Sequence, residues 1–198
     1  GAPFEAEMVK LHRGEHHSEA YKAINPRSQV PVLVDDQHVI TQIVAIISHL
    51  DERFPEQGFL PRGGLVRTRV LEVLMWMNNT VHPGFTHVFM PQKFTDDEAA
   101  QAAIRAHGVQ LYRGYLGELQ DLVRAAEKAG QAHLAPHGFS ALDPYTLTLT
   151  RWGTIAGIDP ESYPDLWRYV QKIAALAPVQ RAIERERLQL NLFKPSAA

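Results

Sequence analysis

The chain has 198 residues, of which 45% are hydrophobic and 21% charged, with a formal net charge of -2 at pH 7. This is the composition of an ordinary soluble globular protein, long enough for one large or two small domains. The charge balance excludes a phosphate-tracking nucleic-acid surface, no apolar run has membrane-spanning length, and the absence of cysteine rules out disulfides, thiolate metal sites and a cysteine nucleophile within these residues.

The opening Gly1-Ala2-Pro3-Phe4 carries no basic region followed by an apolar core, so no signal peptide is read; it resembles a loop in mid-fold. Residues 8–11 partly alternate and predict a short strand. Residues 12–23 are polar and predict a short helix or an irregular turn. The next stretch, residues 25–50, carries the densest signal. Val30-Pro31 opens the apolar run Val32-Leu33-Val34, which puts the proline at a strand's first residue or in a cis peptide. Residues 32–34 and 38–40 flank Asp35-Asp36-Gln37 and predict a hairpin. Ile43, Val44, Ile46, Ile47, Leu50 and Phe54 then recur at helical spacing, with Thr41 as a cap and Phe54-Pro55 as the stop.

Everything up to residue 57 reads as mixed α/β, residues 58–64 as a linker, and residues 65–198 as helical, an α+β architecture overall. Residues 65–80 predict a long helix interrupted at His82-Pro83-Gly84, and residues 96–128 a second that contains Gly108, Gly114 and Gly117. Those glycines weaken the helix or let a neighbour approach closely. Ser140 followed by Asp143 predicts a capping box ahead of a helix through Leu147, Leu149, Trp152 and Ile155. Residues 165–176 and 179–188 supply two more helices.

Five segments in this order resemble the glutathione transferase family, bacterial members above all. They are NPRSQVPVLVDD, ITQIVAIISHLDERFP, FSALDPYTLTLTRW, YPDLWRYVQKIAALAPVQRAI, and the looser RGEHHSEAYKAINP taken with His82-Pro83-Gly84-Phe85. The resemblance implies a thioredoxin-like N-terminal domain, an all-helical second domain, a homodimer, a cytoplasmic location and glutathione as the bound thiol. It assigns Val30 the backbone pairing with the cysteinyl part of glutathione, and Pro31 the bend that supports it. Gln42 and the backbone of Ile43, at the helix start, would take the γ-glutamyl end.

Three departures from the family pattern stand out. Ile43 replaces the usual serine and its hydroxyl. Ser28 stands where glycine is commoner, which matters if that turn needs a positive φ. The family's first strand, its thiol-activating Tyr, Ser or Cys, and its first helix would precede Gly1, a stretch of roughly 25 residues from mean element lengths. A catalytic residue is therefore unassigned within the chain.

Each remaining candidate has an ordinary structural reading beside the functional one. His82, at a helix break, faces the inter-domain cleft by the resemblance, yet a histidine beside Pro and Gly is commonly structural. Phe85 and Phe89, four apart, wall an apolar substrate pocket or belong to the core, as Trp76 and Trp152 do. Ser140 and Asp143 are explained by capping alone. His16 and His17 diverge by about 100° on a helix, and no set of residues has zinc spacing, so no metal is expected.

The function implied is conjugation of the glutathione thiolate to a small apolar electrophile, a detoxification chemistry. Two alternatives stand beside it: a non-catalytic binding or regulatory module, motivated by Ile43, and a glutathione-dependent isomerase of the maleylacetoacetate type. No nucleic-acid or membrane partner is expected.

Overall fold

The computed structural model describes residues 3–195. The chain folds as two compact units, Gly1–Pro55 and Glu56–Ala198. The stretch 58–64 is part of the second unit rather than a free connection: Leu60 is buried, and the Phe59 carbonyl accepts from the Ala141 N–H at 3.0 Å.

In the first unit, two short 3-10 turns lead into α1 (Glu19–Ile24), capped by the Ser18 hydroxyl, which accepts from the Tyr21 N–H. Residues 8–11 do not form the expected strand. They enter the first 3-10 turn with Met8 63% and Leu11 50% exposed, because no described strand lies beside them to supply a ladder. The hairpin forms as expected from β1 (Val32–Asp35) and β2 (His38–Thr41), antiparallel, with Asp35 opposite His38 and Val32 opposite Thr41. Its loop is two residues, Asp36-Gln37, and Asp36 accepts a φ of 54° that aspartate tolerates better than most side chains.

The following helix, α2 (Ile43–Arg53), has Gln42 at its N-cap position, where the side chain makes no capping bond, and not Thr41, which is spent on the ladder. A carboxylate ties the two elements: Asp35 Oδ2 lies 2.7 Å from His49 Nε2 and 3.3 Å from Arg53 Nε. The His49 hydrogen bond, helped by the Arg53 charge, holds the Asp35 pKa below the ordinary carboxylate value.

The second unit is helical: α3 (Gly64–Trp76), α4 (His82–Phe89), α5 (Glu98–Lys128), α6 (Leu142–Ile155), α7 (Pro164–Ala174) and α8 (Ala177–Glu186). The expected interruption at His82-Pro83-Gly84 is absent. A π turn, Met77–Val81, carries the helix from α3 into α4, with the His82 N–H bonded to the Met77 carbonyl five residues back. The wider turn makes room for the Pro83 ring, which in a regular helix meets the carbonyl four residues earlier.

Two glycines let α4 and α5 approach closely. A Cβ on Gly84 would stand 2.8 Å from the Tyr115 ring, and one on Gly108 would stand 2.9 Å from His87 Cβ. Gly114 and Gly117 face open space.

The core of this unit is apolar and well filled, with Leu74, Met77, Val81, Tyr112, Leu116, Leu119, Leu149, Leu166 and Ile173 essentially inaccessible. Asp143 is buried among them and fully engaged. It accepts from the Ser140 N–H at 2.6 Å, from the Leu134 N–H at 3.2 Å and from the Tyr169 hydroxyl. Half of the expected capping box is present, since the Ser140 hydroxyl accepts from the Leu142 N–H at 3.3 Å rather than from Asp143. The acid serves three segments of the unit instead of one helix end.

Candidate functional site

The first group of candidates gathers at one end of the hairpin. Val32 and Thr41 are its last paired residues there. Pro31 and Gln42 therefore lie one residue beyond the ladder on its two strands, with Val30 and Ile43 next along the chain. The Val30–Pro31 peptide is cis. Val30 is 42% exposed, and its backbone N–H and carbonyl have no partner among the described residues. An unpaired residue running into a strand is a template on which an extended ligand can pair.

The turn that delivers Val30 is held by two residues that sequence reasoning left unassigned. Asn25 is 2% exposed; its Nδ2 donates to the Gln29 carbonyl at 2.8 Å and its Oδ1 accepts from the Arg27 N–H at 3.1 Å. The Tyr21 hydroxyl donates to the same Gln29 carbonyl at 2.7 Å. The Asn25-Pro26 dipeptide was the available signal, since asparagine side chains close such turns on their own backbone. Tyr21 had none, because its reach of eight residues depends on how the chain folds back. Ser28 inside this turn has φ 54°, so the turn does require the left-handed region that glycine takes without cost.

On the other strand, Gln42 alone connects β2 to α2, and the chain turns from strand to helix within that one residue. Its φ of 71° and ψ of 120° are the result. Such a backbone costs a side-chain-bearing residue about 1–3 kcal/mol, and strain of this kind concentrates at functional sites. The Gln42 carboxamide is exposed and has no partner among the described residues. The start of α2 is equally open: no side chain caps it and no acid lies in its first turn. The N–H groups of Ile43, Val44 and Ala45 are thus available, together with the positive end of the helix dipole. Ile43 contributes this N–H but no side-chain donor. The combined arrangement can hold a carboxylate at the helix start and an extended peptide along Val30.

The second group lies in the second unit. His82 begins α4; its Nδ1 is 2.9 Å from the Tyr145 hydroxyl, and its ring stands edge-on to Trp152 at 4.7 Å. Partial desolvation beside these rings pulls its pKa below the ordinary imidazole value, while the residue as a whole stays exposed at the surface. Phe85 stacks on Trp152 at 4.9 Å and on Phe89 at 5.6 Å. The two phenylalanines differ in kind: Phe85 is 7% exposed and Phe89 59%. Phe85 is a core residue that backs Phe89, and Phe89 alone offers a ring face to solvent. The cavity of about 230 Å³ lined by Val73, Leu122, Leu134 and Leu142 includes none of these residues.

The described residues contain no group of three or more histidine or acidic side chains placed to hold a metal. His16 and His17, expected to diverge, bring their rings to 3.8 Å. They sit in a 3-10 turn, where successive positions diverge by about 120°, so it is the side-chain torsions and not the backbone that bring the rings together. No described helix is long and apolar enough to cross a membrane.

Comparison with known proteins places these features in a family. The family model described as glutathione S-transferase, N-terminal domain, matches residues 1–52. The chain is 31% identical over 189 residues to glutathione S-transferase GST-4.5 of Xanthomonas campestris, covering 94% of this chain and 88% of that one. A sphingomonad glutathione S-transferase solved with glutathione superposes with a TM-score of 0.72 at 29% identity, over 87% of this chain and 81% of the other. A maleylpyruvate isomerase, described as a bacterial glutathione S-transferase of the zeta class, superposes with a TM-score of 0.76 at 25% identity, over 100% and 90% of the two chains. The first unit is thioredoxin-like, and the second is a helical domain of the same kind. With about a third of its residues matched over nearly its whole length, the chain belongs to the glutathione S-transferase family.

Proposed function

We propose that this protein binds glutathione and conjugates its thiolate to a small apolar electrophile. One observation carries the reading: an unpaired strand residue, Val30, and an uncapped helix start at Gln42-Ile43 lie at the same end of one hairpin. Val30 pairs with the cysteinyl backbone of glutathione, and Pro31 shapes the approach. The N–H groups at the start of α2 and the Gln42 carboxamide take the γ-glutamyl carboxylate, where the dipole favours negative charge. The thiolate is the nucleophile at neutral pH, and no described residue is assigned the donor that stabilises it. Phe89, backed by Phe85, and His82 contact the apolar acceptor.

The proposal extends to a cytoplasmic homodimer that disposes of reactive electrophiles. Exposed Leu65 and Met75, about 80° apart around α3, supply apolar surface for such a pairing. An isomerase of the maleylacetoacetate type is the second reading. It is favoured by Gln42 at the helix start and by the likeness to a zeta-class isomerase.

Titration calorimetry of the full protein with glutathione tests the binding step. A Kd in the micromolar to low millimolar range is expected, and no heat up to millimolar ligand would reject the reading. Conjugation of an aryl halide against isomerisation of a cis-dicarboxylate then separates transferase from isomerase.

A further inference from the structure

The π turn Met77–Val81 does more than admit Pro83. It carries Asn78 to a position where the Asn78 Oδ1 accepts from the Tyr145 hydroxyl at 3.2 Å, while Asn78 Nδ2 donates to Asn79 Oδ1 at 2.8 Å. Commitment of Nδ2 to Asn79 leaves the carbonyl oxygen of Asn78 facing Tyr145. A carbonyl oxygen only accepts, so the Tyr145 proton points at Asn78. The Tyr145 oxygen then has lone pairs to offer His82 Nδ1, 2.9 Å away, and that nitrogen must carry the hydrogen.

We propose that Asn78 and Tyr145 are positioning residues that lock His82 as the Nδ1–H tautomer, leaving Nε2 an unprotonated hydrogen-bond acceptor. Nε2 has no partner among the described residues. Its complement is therefore a donor: the hydroxyl, thiol or N–H of a ligand, rather than a carbonyl or halide. Desolvation supports the arrangement at both members, pulling the surface-exposed imidazole toward its neutral form and pushing the half-buried Tyr145 phenol up to about 12, so that it keeps its proton. The perpendicular contact with Trp152, ring centroids 4.7 Å apart, restrains the ring plane. This inference rests on the proposed function only for which ligand Nε2 meets; the tautomer itself belongs to the free protein.

Long-range 15N–1H NMR of the histidine rings in the full protein, at a pH where His82 is neutral, reads the tautomer directly. His82 is identified by the signal lost in His82→Gln. A protonated-type Nδ1 and an unprotonated-type Nε2 are expected in the wild type. Tyr145→Phe and Asn78→Leu each shift the pattern toward Nε2–H. The opposite wild-type pattern would overturn the proposal, because both amides turned over would run the chain of donors the other way. So would a Tyr145→Phe spectrum unchanged from wild type. With glutathione and an electrophile, Tyr145→Phe lowers kcat about tenfold, the weight of one hydrogen bond, with KM for glutathione unchanged. Failure of glutathione to bind would reject the functional reading while leaving the tautomer result standing.

Discussion

Ile43 occupies the first position of α2, where its N–H is free and its side chain adds no donor. Ile43→Ser adds a hydroxyl at the helix start proposed to take the γ-glutamyl carboxylate, and a gain of about 1 kcal/mol, or roughly fivefold in Kd, is expected by calorimetry. An unchanged Kd would mean that only the backbone of this residue is read. Gln42 separates stability from binding. Gln42→Gly relieves a φ of 71° and is expected to raise stability by about 1 kcal/mol in urea unfolding, while weakening glutathione binding because the carboxamide is lost. A variant that gained or lost both together would contradict the strain argument. Ser28→Gly relieves a φ of 54° without touching the ligand, and a gain of roughly 0.5–1 kcal/mol with unchanged affinity is expected. The sequence raised Ser28 as a question of φ; only the backbone of the folded turn answers it, since the residues around it set the angle.

At the scale of the element, the hairpin and α2 are joined by Asp35, His49 and Arg53. The folded-state pKa of Asp35 is depressed below its unfolded value, so its contribution is present above the unfolded pKa and is lost as pH falls through the folded one. Asp35→Asn should lower the Tm at neutral pH, and the difference from wild type should shrink on acidification into that window. A difference that persists at low pH would point to packing instead of charge. The hairpin and α2 were legible from alternation and helical spacing. The cap of α2 was not, because a threonine ahead of a helix is an equally good strand residue, and pairing with Val32 decided the matter. The π turn was likewise beyond reach: His82-Pro83-Gly84 reads as a break in one dimension, whereas packing of α4 on α5 through Gly84 and Gly108 keeps the helix continuous.

At the scale of the whole molecule, the second unit converges on Asp143, which binds the start of α6, the Leu134 backbone and the Tyr169 hydroxyl of α7. Asp143→Ala would leave the buried Ser140 N–H and the Tyr169 hydroxyl without their acceptor, while the Leu134 N–H keeps the Tyr169 oxygen, and a loss of about 3 kcal/mol is expected in denaturant unfolding. A loss below about 1 kcal/mol would reduce the acid to a simple helix cap. The Ser140–Asp143 spacing announced a cap, but Tyr169 and Leu134 lie 26 and 9 residues away from Asp143, and no local pattern links them. By itself the sequence determined the hairpin, the amphipathic helices and the change from mixed to helical character, because each is written in short-range spacing and turn chemistry, whereas positions 30, 31, 42 and 43 were singled out by the resemblance to glutathione transferases. The tertiary structure alone decided that Tyr21 reaches the turn before Val30, that Phe85 is buried while Phe89 is exposed, and that Asn78 and Tyr145 reach His82. Those relations join residues distant along the chain, and their hydrogen bonds and contacts exist only once the elements have packed.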